Sequence, residues 1–309
     1  MVQVPPSQWA DLDGPVHYVD FGGPDDGPLL VCVHGLGGSH LNWAAMAPGL
    51  TDTCRVVALD LAGFGLTRGA GRPTSVRANR HLLHRFVTEV VGAPAILVGN
   101  SMGGLIASLE AAAAPDAVAG AVLIDPALPP TGRPDPLTAA MFTAFVLPAV
   151  GAVVMARRAR SNSPEQAAMA TLRFCCVDPS RVPVEVLRAH VALARDRRGY
   201  PQLGAEFVVA ARSLMWELSL RRRHAAMLHR ITVPVLLLHG EKDRLVPVAA
   251  ARATSRANPH WRFEVAPDTG HVPQLEAVDW TVGLIRDWLG NEGSEAAAAA
   301  SVRSVRSGA

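Results

Sequence analysis

The sequence predicts an α/β fold in which a mostly parallel central sheet is flanked by helices and carries an inserted helical cap. Short apolar segments alternate with longer amphipathic segments before Asp125 and again after Ile231, as in consecutive βαβ units. Residues 128–230 between them contain helix-like segments and no convincing strand. We therefore expect a core formed by residues 1–127 and 231–289, a cap formed by residues 128–230, and a disordered tail formed by residues 290–309.

Short segments rich in valine, leucine and isoleucine predict the strands. Their apolar character is continuous rather than alternating, which is typical of strands covered by helices on both faces. In chain order these segments are 16–21, 29–33, 55–59, 95–98, 121–124, 235–238 and 263–265.

Helices are predicted between these strands. Residues 105–114 are rich in alanine, the strongest helix former. Residues 76–91 place apolar side chains three and four positions apart, which favours a helix with one buried face; these side chains are Leu82, Leu83, Phe86, Val87 and Val90.

Composition narrows the classes of function. Of the 309 residues, 49% are apolar and 18% are charged, so the chain can bury a large core and most of it is not disordered. The net charge of +2 gives little support for a nucleic-acid partner. The four cysteines have no spacing typical of a zinc site or a disulfide framework. The first residues lack a basic start followed by an apolar run, so we expect a cytoplasmic protein.

The strongest chemical signal is the motif Gly99-Asn100-Ser101-Met102-Gly103, which directly follows a predicted strand and precedes a predicted helix. In this context G-x-S-x-G places the serine on a sharp turn at the carboxyl edge of the sheet, where it can act as a nucleophile. The helix that follows directs its amino-terminal amides, and its positive dipole end, toward developing negative charge. The alternative is a glycine-rich turn without a catalytic role.

A serine hydroxyl needs a general base, and His271 is the candidate. It lies in a loop after the last predicted strand, within Gly270-His271-Val272-Pro273. The alternative is a histidine in a surface loop. His81 and His84 fit the polar face of a helix, whereas His34 and His239 each end a strand and are expected to hydrogen-bond neighbouring loops.

The base needs a carboxylate that fixes its tautomer and stabilises its charged form. Asp243 follows the predicted strand 235–238, and the resulting chain order of Ser, Asp and His matches that of α/β-hydrolases. Asp125, which ends an earlier strand, is the second candidate. Glu241 is a weaker one because it would need a different path of the loop.

A serine nucleophile that attacks a carbonyl group forms an oxyanion, which two backbone N–H donors can stabilise. Met102 supplies one candidate, and the glycine-rich loop 34–38 after the second predicted strand supplies the other, at Leu36. The alternative is a glycine-rich turn that only leads into the next helix. The sequence does not favour a phosphate-binding role for this loop, because it has neither a Gly-Lys-Ser/Thr nor a G-x-G-x-x-G pattern.

Five motifs in this order give the chain a family resemblance: His34-Gly35-Leu36-Gly37-Gly38, Asp60-Leu61-Ala62-Gly63-Phe64-Gly65, Gly99-Asn100-Ser101-Met102-Gly103-Gly104, His239-Gly240-Glu241-Lys242-Asp243 and Gly270-His271-Val272-Pro273. Together they resemble the α/β-hydrolase superfamily, in its cap-bearing branch of esterases, lipases and carbon–carbon bond hydrolases. The resemblance covers residues 14–127 and 231–289. It implies the triad Ser101, Asp243 and His271 with oxyanion donors Leu36 and Met102, and it implies no metal or organic cofactor. Serine at the nucleophile position argues against haloalkane dehalogenases and epoxide hydrolases, which use aspartate there.

The resemblance also orders the candidate reactions. The wording Gly-Asn-Ser-Met-Gly-Gly is similar to that of meta-cleavage-product hydrolases, which split carbon–carbon bonds. Those enzymes usually follow the histidine with a stretch containing tryptophan, whereas this chain has Val272-Pro273-Gln274-Leu275-Glu276, which is commoner among esterases and lipases. We therefore expect ester hydrolysis first. A carbon–carbon hydrolase, an acyltransferase or perhydrolase, and a ligand sensor that retains a hydrolase pocket are the alternatives.

The inserted segment points to a lipophilic substrate. Residues 137–156 contain no charged residue and have about the length of a membrane span. Pro148, Gly151 and the position of the segment within the insertion favour a cap helix that lines an apolar tunnel. The alternatives are a lid with weak contact to a membrane surface and a true membrane span. The cap helix and the lid each favour a small-molecule ester with a lipophilic acyl or alkyl group. The candidate lining residues, if they are not core residues, are Phe142, Phe145, Phe174 and Trp216. The sequence does not define the oligomeric state.

Overall fold

The computed structural model describes residues 4–131, 140, 151, 153, 163–200 and 202–293. These residues form an eight-stranded sheet in the order β1-β2-β4-β3-β5-β6-β7-β8. Strands β1 and β2 are antiparallel to their neighbours, and β3 to β8 pair in parallel. The strands are β1 (Ser7–Asp11), β2 (Pro15–Gly22), β3 (Leu29–Val33), β4 (Arg55–Leu59), β5 (Ala95–Asn100), β6 (Val118–Ile124), β7 (Val235–Gly240) and β8 (Arg262–Ala266).

Helices surround this sheet. They are α1 (Val76–Arg85), α2 (Met102–Ala113), α3 (Pro164–Cys175), α4 (Val184–Arg197), α5 (Leu203–Ser219), α6 (Arg221–Leu228), α7 (Val248–Ala257), α8 (Pro273–Glu276) and α9 (Val278–Trp288). Short 3₁₀ turns lie at His40–Trp43, Ala47–Gly49 and Pro179–Arg181. The α/β fold class predicted from the alternation of segments is therefore confirmed.

The sheet is buried on both faces, as the continuous apolar strands predict. On β3, Leu30 and Cys32 pack into a cluster with Trp288 on one side of the sheet. Val31 and Val33 point to the other side, into a cluster around Phe64, Leu83 and Phe86. Each fully buried side chain of this size contributes about 1.5–3 kcal/mol, so apolar burial on both faces stabilises the sheet between its two layers of helices.

Strand β1 is an element that the sequence analysis missed. It pairs with β2 at the edge of the sheet, and four of its five residues are exposed. An edge strand that buries so little carries no apolar run, and therefore gives no sequence signal of the kind that identifies the central strands.

The strand order determines where a site can form. From β3 the chain continues to β4 on one side, and after α1 it crosses back to β5 on the other side of β3. The carboxyl ends of β3 and β5 therefore flank a topological switch point, where ligands bind in open α/β sheets. The loop at residues 34–38 and the turn at Ser101 both leave the sheet at this point.

Between β6 and β7 the described residues form helices α3 to α6 and no strand. In a small apolar cluster, Leu172, Val182 and Val186 from this segment pack against Val272 and Leu275. The helical insertion thus contacts the chain that follows His271. That residues 128–230 act as a cap over the core stays a prediction.

Two predictions fall largely outside the described residues. Of the apolar segment 137–156, only residues 140, 151 and 153 are described. Of the tail, residues 290–293 are described, and they continue a helical turn that spans Leu289–Gly293. Within the described parts of the chain, no helix combines the length and the apolar character needed to cross a membrane.

Candidate active site

Ser101 lies on a strained turn between β5 and α2. Its backbone φ of 55° and ψ of −119° are unfavourable for a residue with a side chain and cost on the order of 1–3 kcal/mol. The turn is held in place because Ser101 N–H donates to the Ile124 carbonyl at 3.2 Å and Ala127 N–H donates to the Ser101 carbonyl at 2.9 Å. A Cβ on Gly103 would lie 2.0 Å from the carbonyl oxygen of Val33. Only glycine therefore lets α2 begin this close to β3.

The loop after β3 passes directly beside Ser101. A Cβ on Gly35 would lie 2.9 Å from the Cβ of Ser101. Gly38 N–H donates to the Gly35 carbonyl at 3.0 Å, and Gly37 has a φ of 77°, as in a type II turn. Leu36 occupies a central position of this turn, so its N–H takes no part in the turn's own hydrogen bond.

His34 anchors this loop. Its Nδ1 donates to the Gly35 carbonyl at 2.8 Å, and its Nε2 accepts from Leu61 N–H at 3.1 Å. These two partners fix a neutral tautomer with the proton on Nδ1. Burial lowers the pKa of His34 to about 4, so the ring stays neutral at physiological pH. The histidine is a structural part of the loop, as the sequence analysis expected.

The other oxyanion candidate begins α2. Met102 is the first residue of this helix, and the amides of the first helical turn have no acceptor within their own helix. The N–H of Met102 therefore lies at the positive end of the α2 dipole, directly after Ser101.

His271 and Asp243 are joined by a hydrogen bond of 2.7 Å between Nδ1 and Oδ2. The Oδ1 of Asp243 accepts from the N–H groups of Leu245 at 2.7 Å and Val246 at 3.1 Å. Burial opposes the charge on Asp243, but its interactions with His271, His239 and Asp125 together outweigh this effect and lower the pKa of the carboxyl. The carboxylate is therefore ionised and turned toward the imidazole.

Asn100 connects the two halves of the site. Its Nδ2 donates to the carbonyl of His271 at 3.1 Å and to the carbonyl of Ile124 at 3.0 Å. Because Asn100 directly precedes Ser101, the loop of His271 is tied to the serine turn. The sequence analysis gave Asn100 no role, since its two acceptors lie 24 and 171 positions away.

The remaining sequence candidates have other partners. His84 bonds to Glu110 at 2.6 Å, His239 Nε2 bonds to the Val246 carbonyl at 2.7 Å, and Glu241 accepts from Asp268 N–H at 3.2 Å. Asp125 lies at the end of β6, close to Asp243.

A buried carboxylate, Asp60, organises the other side of the oxyanion loop. It accepts from the backbone N–H of His40 at 2.6 Å and of Leu66 at 2.8 Å. The rings of His17 and His40 each donate to it from Nδ1, at 2.7 Å and 2.9 Å. Burial opposes its charge, but the hydrogen bonds from the two histidines hold its pKa well below its usual range. These donors occupy the lone pairs that a cation would need, so the cluster is a hydrogen-bond hub.

A second buried carboxylate, Glu276, holds the loop of His271. Its Oε2 accepts from Gly270 N–H at 2.8 Å, and its Oε1 accepts from Asp178 N–H at 2.7 Å. In addition, His271 N–H donates to the Cys175 carbonyl at 2.6 Å. The inserted helical segment is therefore hydrogen-bonded to His271 itself and, through Glu276, to the residue before it.

The pocket residues differ from the expectation. Trp216 on α5, proposed as a lining or core residue, is 65% exposed, so its interpretation as a core residue is wrong. Phe207 on the same helix lies over the oxyanion loop instead, 3.2 Å from where a Cβ of Gly37 would stand. Phe174 is half-buried, and Phe142 and Phe145 lie outside the described residues.

Comparisons with known proteins agree with this architecture. A family model described as alpha/beta hydrolase fold matches residues 28–278. The magnesium-chelatase 30 kDa subunit of Rhodobacter capsulatus is 30% identical over 86% of this chain and 88% of its own length. The pimeloyl-(acyl-carrier protein) methyl ester esterase of Methylococcus capsulatus is 29% identical over 85% of this chain and 95% of its own. The structure of a thermophilic esterase from Thermogutta terrifontis superposes with a TM-score of 0.68 at 25% identity, covering 94% of this chain and 99% of that one.

Proposed function

The chain belongs to the alpha/beta hydrolase fold family, and we propose that it is a serine hydrolase that cleaves carboxylic esters with a lipophilic acyl or alkyl group. One observation carries the proposal: Asn100, the neighbour of the strained Ser101, bonds to the backbone of His271, whose ring bonds to Asp243. Nucleophile, base and acid candidates thus belong to one hydrogen-bonded assembly at the switch point of the sheet.

In the proposed reaction, His271 Nε2 takes the proton of the Ser101 hydroxyl as Oγ attacks the ester carbonyl carbon. The carbonyl π electrons move to oxygen, and the oxyanion is bound by the N–H groups of Leu36 and Met102. Each donor contributes about 3–4 kcal/mol to stabilising the transition state. The tetrahedral intermediate then expels the alcohol, which takes its proton from His271. Water repeats the sequence on the acyl-enzyme, releases the acid and restores Ser101.

Asp243 supports this role for His271 in two ways. Its hydrogen bond to Nδ1 leaves Nε2 without the proton and therefore basic. Its lowered pKa keeps the carboxylate ionised, so that it stabilises the imidazolium that forms during attack.

The ester class is supported from two sides. The relative from Methylococcus capsulatus and the structural neighbour from Thermogutta terrifontis are both named esterases. Leu36 belongs to the oxyanion loop, Phe207 lies over it, and both apolar side chains pack against the main apolar cluster, which suits a lipophilic group next to the ester.

A panel of p-nitrophenyl esters of increasing acyl length tests the proposal on wild type, Ser101→Ala and Ser108→Ala. Ser108 is a matched control, because this buried serine on α2 donates to the Gly104 carbonyl at 2.8 Å and has no proposed role. We expect wild type and Ser108→Ala to be active, with longer chains preferred, and Ser101→Ala to lose at least about 10³-fold.

A fluorophosphonate probe supplies the second readout. Labelling of wild type but not of Ser101→Ala, seen as a mass increase of the intact protein, is the expected result. Equal ester hydrolysis by wild type and Ser101→Ala would remove the serine from its role. Silence of both toward esters, together with turnover of a dienoate diketone acid or tight binding of a small molecule without turnover, would favour a carbon–carbon hydrolase or a sensor.

A further inference from the structure

Asp125 is a fully buried aspartate that the proposed mechanism does not use. It directly follows β6, and its N–H donates to the Leu238 carbonyl at 2.9 Å. Its φ of 44° is a conformation that residues other than glycine, asparagine and aspartate seldom adopt. The backbone therefore holds this carboxyl in one place, at the carboxyl end of the strand next to β7.

Among the residues that the structure describes, no positively charged group pairs with Asp125 to balance a carboxylate. Its Oδ1 accepts from Gly240 N–H at 2.9 Å, but its Oδ2 is buried and faces no donor. The basic side chain that approaches it is His239, whose Nε2 lies 3.5 Å from Oδ1. That Nε2 is already engaged with the Val246 carbonyl at 2.7 Å, and burial lowers the pKa of His239. His239 is therefore neutral and donates elsewhere.

The carboxyl of Asp243 lies beside that of Asp125: an oxygen of each falls within 4.8 Å of the other and of a ring nitrogen of His239, and all three residues are buried. Two carboxyl groups can share a hydrogen bond only when one of them carries a proton. Asp243 is the one that lies against His271 and accepts two backbone N–H groups. All these contacts favour its charged form. The proton therefore belongs on Asp125.

We propose that Asp125 is a neutral carboxylic acid that donates a hydrogen bond to Asp243 and so acts as a positioning residue behind the candidate triad. This inference rests on the proposed function for its catalytic consequence, but not for the protonation itself. Burial, and next the charge of Asp243, raise the pKa of Asp125 well above its ordinary value, in agreement with the geometry. Its donated hydrogen bond holds Asp243 in orientation and keeps that carboxylate from accepting the proton of His271.

Several titratable groups face this pair and belong in any account of its pH dependence. His239 and Asp243 come from β7 and the loop after it, whereas His271 and Glu276 come from the last loop and α8. Cys175 at the end of α3 lies near Asp243, and burial raises the pKa of its thiol to about 12, so it stays neutral.

Two variants separate the donor from the charge. Asp125→Asn keeps an N–H donor and tolerates a positive φ, but cannot ionise. Asp125→Gly also tolerates the backbone conformation and removes the donor. We expect kcat to stay within a few-fold of wild type in Asp125→Asn. In Asp125→Gly we expect kcat to fall about tenfold to a hundredfold with little change in KM. Thr281→Ala, a buried change on α9 whose hydroxyl donates to the Ala277 carbonyl, controls for general destabilisation. Equal impairment of Asn and Gly variants, or wild-type kcat in both, would overturn the proposal.

The protonation state has a readout that does not depend on activity. Infrared spectra of protein labelled with ¹³C-aspartate should show a protonated carboxyl band at neutral pH in wild type and in Ser101→Ala, and this band should be missing in Asp125→Asn. A wild-type spectrum without the band would overturn the proposal even if Ser101→Ala is inactive. Hydrolysis retained in Ser101→Ala would contradict the proposed function but leave the band unchanged, so the two failures are distinguishable.

The pH dependence of the unfolding free energy also reports whether Asp125 is protonated in the folded protein. An acid whose pKa is raised in the folded state contributes stability that is complete below its unfolded pKa, near 3.8, and that is lost as the pH rises. Asp125→Asn lacks this loss, so its stability relative to wild type should increase from pH 4 to pH 8. A difference that does not change with pH would show that Asp125 is ionised throughout.

Discussion

The side-chain amide of Asn100 donates a hydrogen bond of 3.1 Å to the backbone carbonyl of His271. The residue before the candidate nucleophile thereby holds the loop of the candidate base, across the carboxyl edge of the sheet. The same amide donates to Ile124 at the end of β6, so three segments that are distant in sequence meet at one buried side chain.

Replacing this amide should loosen the base without removing any reacting group. Asn100→Asp has the same shape but presents oxygens to two carbonyls, so both hydrogen bonds are lost. We expect kcat for p-nitrophenyl esters to fall at least about tenfold, because a lost hydrogen bond of about 1–1.5 kcal/mol corresponds to that factor. Asn291→Asp is the control, since Asn291 is exposed and bonds only to Asp287 within the described residues. Unchanged kcat in Asn100→Asp would contradict the positioning role.

The oxyanion loop should be sensitive to a single methyl group. Gly35→Ala would place a Cβ 2.9 Å from the Cβ of Ser101, so the loop must shift away from the serine turn. We expect a loss of about 10²-fold or more in kcat, as when one oxyanion donor is lost. Gly283→Ala is the matched control. The added Cβ would meet nothing within 4 Å, and Gly283 is an exposed residue in the middle of α9. It should raise the unfolding free energy by about 0.5–1 kcal/mol and leave kcat unchanged.

Glu276 connects the inserted segment to the loop of His271 by hydrogen bonds. Glu276→Ala leaves the N–H groups of Gly270 and Asp178 without their acceptors, which should cost about 1–3 kcal/mol for each group that stays buried. Hydrogen exchange should therefore accelerate around residues 175–181 and 268–272. Glu264→Gln serves as control, since Glu264 on β8 pairs with Arg262 and has no proposed role in holding the loop of His271. Equal exchange in both variants would show that the apolar cluster alone holds the loop.

Acid destabilisation should arise in part from His34. Its pKa is lowered from 6.5 to about 4 by burial, so the unfolded chain binds a proton before the folded one does. A depressed folded pKa contributes stability that is complete above the unfolded value and is lost as the pH falls, here between about pH 6.5 and 4. The loss amounts to about 3 kcal/mol.

Urea denaturation across this pH range measures the effect. His34→Gln retains an acceptor for Leu61 N–H but cannot titrate, so its stability should depend less steeply on pH than that of wild type. His81→Gln, at an exposed position on α1, should reproduce the wild-type slope. Identical slopes for all three proteins would show that His34 is not the group that titrates.

Local patterns were sufficient for the fold and for the serine turn. The strands at the centre of the sheet are continuous apolar runs because helices cover both faces, and this property is visible without any long-range contact. The edge strand Ser7–Asp11 was missed because four of its five residues are exposed. Trp216 was placed inside because of its apolar character, whereas the orientation of α5 leaves it 65% exposed.

The hydrogen-bond hubs could not be predicted in the same way. Asp60 receives the rings of His17 and His40, which lie 43 and 20 positions away, and Glu276 joins Gly270 to Asp178, 98 positions distant from the glutamate. A hydrogen bond between such distant residues produces no periodic pattern in the sequence, because it depends only on which segments the fold brings together.

The sequence by itself determined that strands and helices alternate and that Ser101 stands on a strand-to-helix turn, because both are consequences of neighbouring residues. Sequence reasoning ranked Asp243 above Asp125 but left both open, since both follow buried strands and both are short acids. Which carboxyl faces His271 depends on the path of the folded chain. Strands β6 and β7 are adjacent, so both acids reach the same place, and the loop after β7 turns Asp243 toward the ring while Asp125 lies behind it.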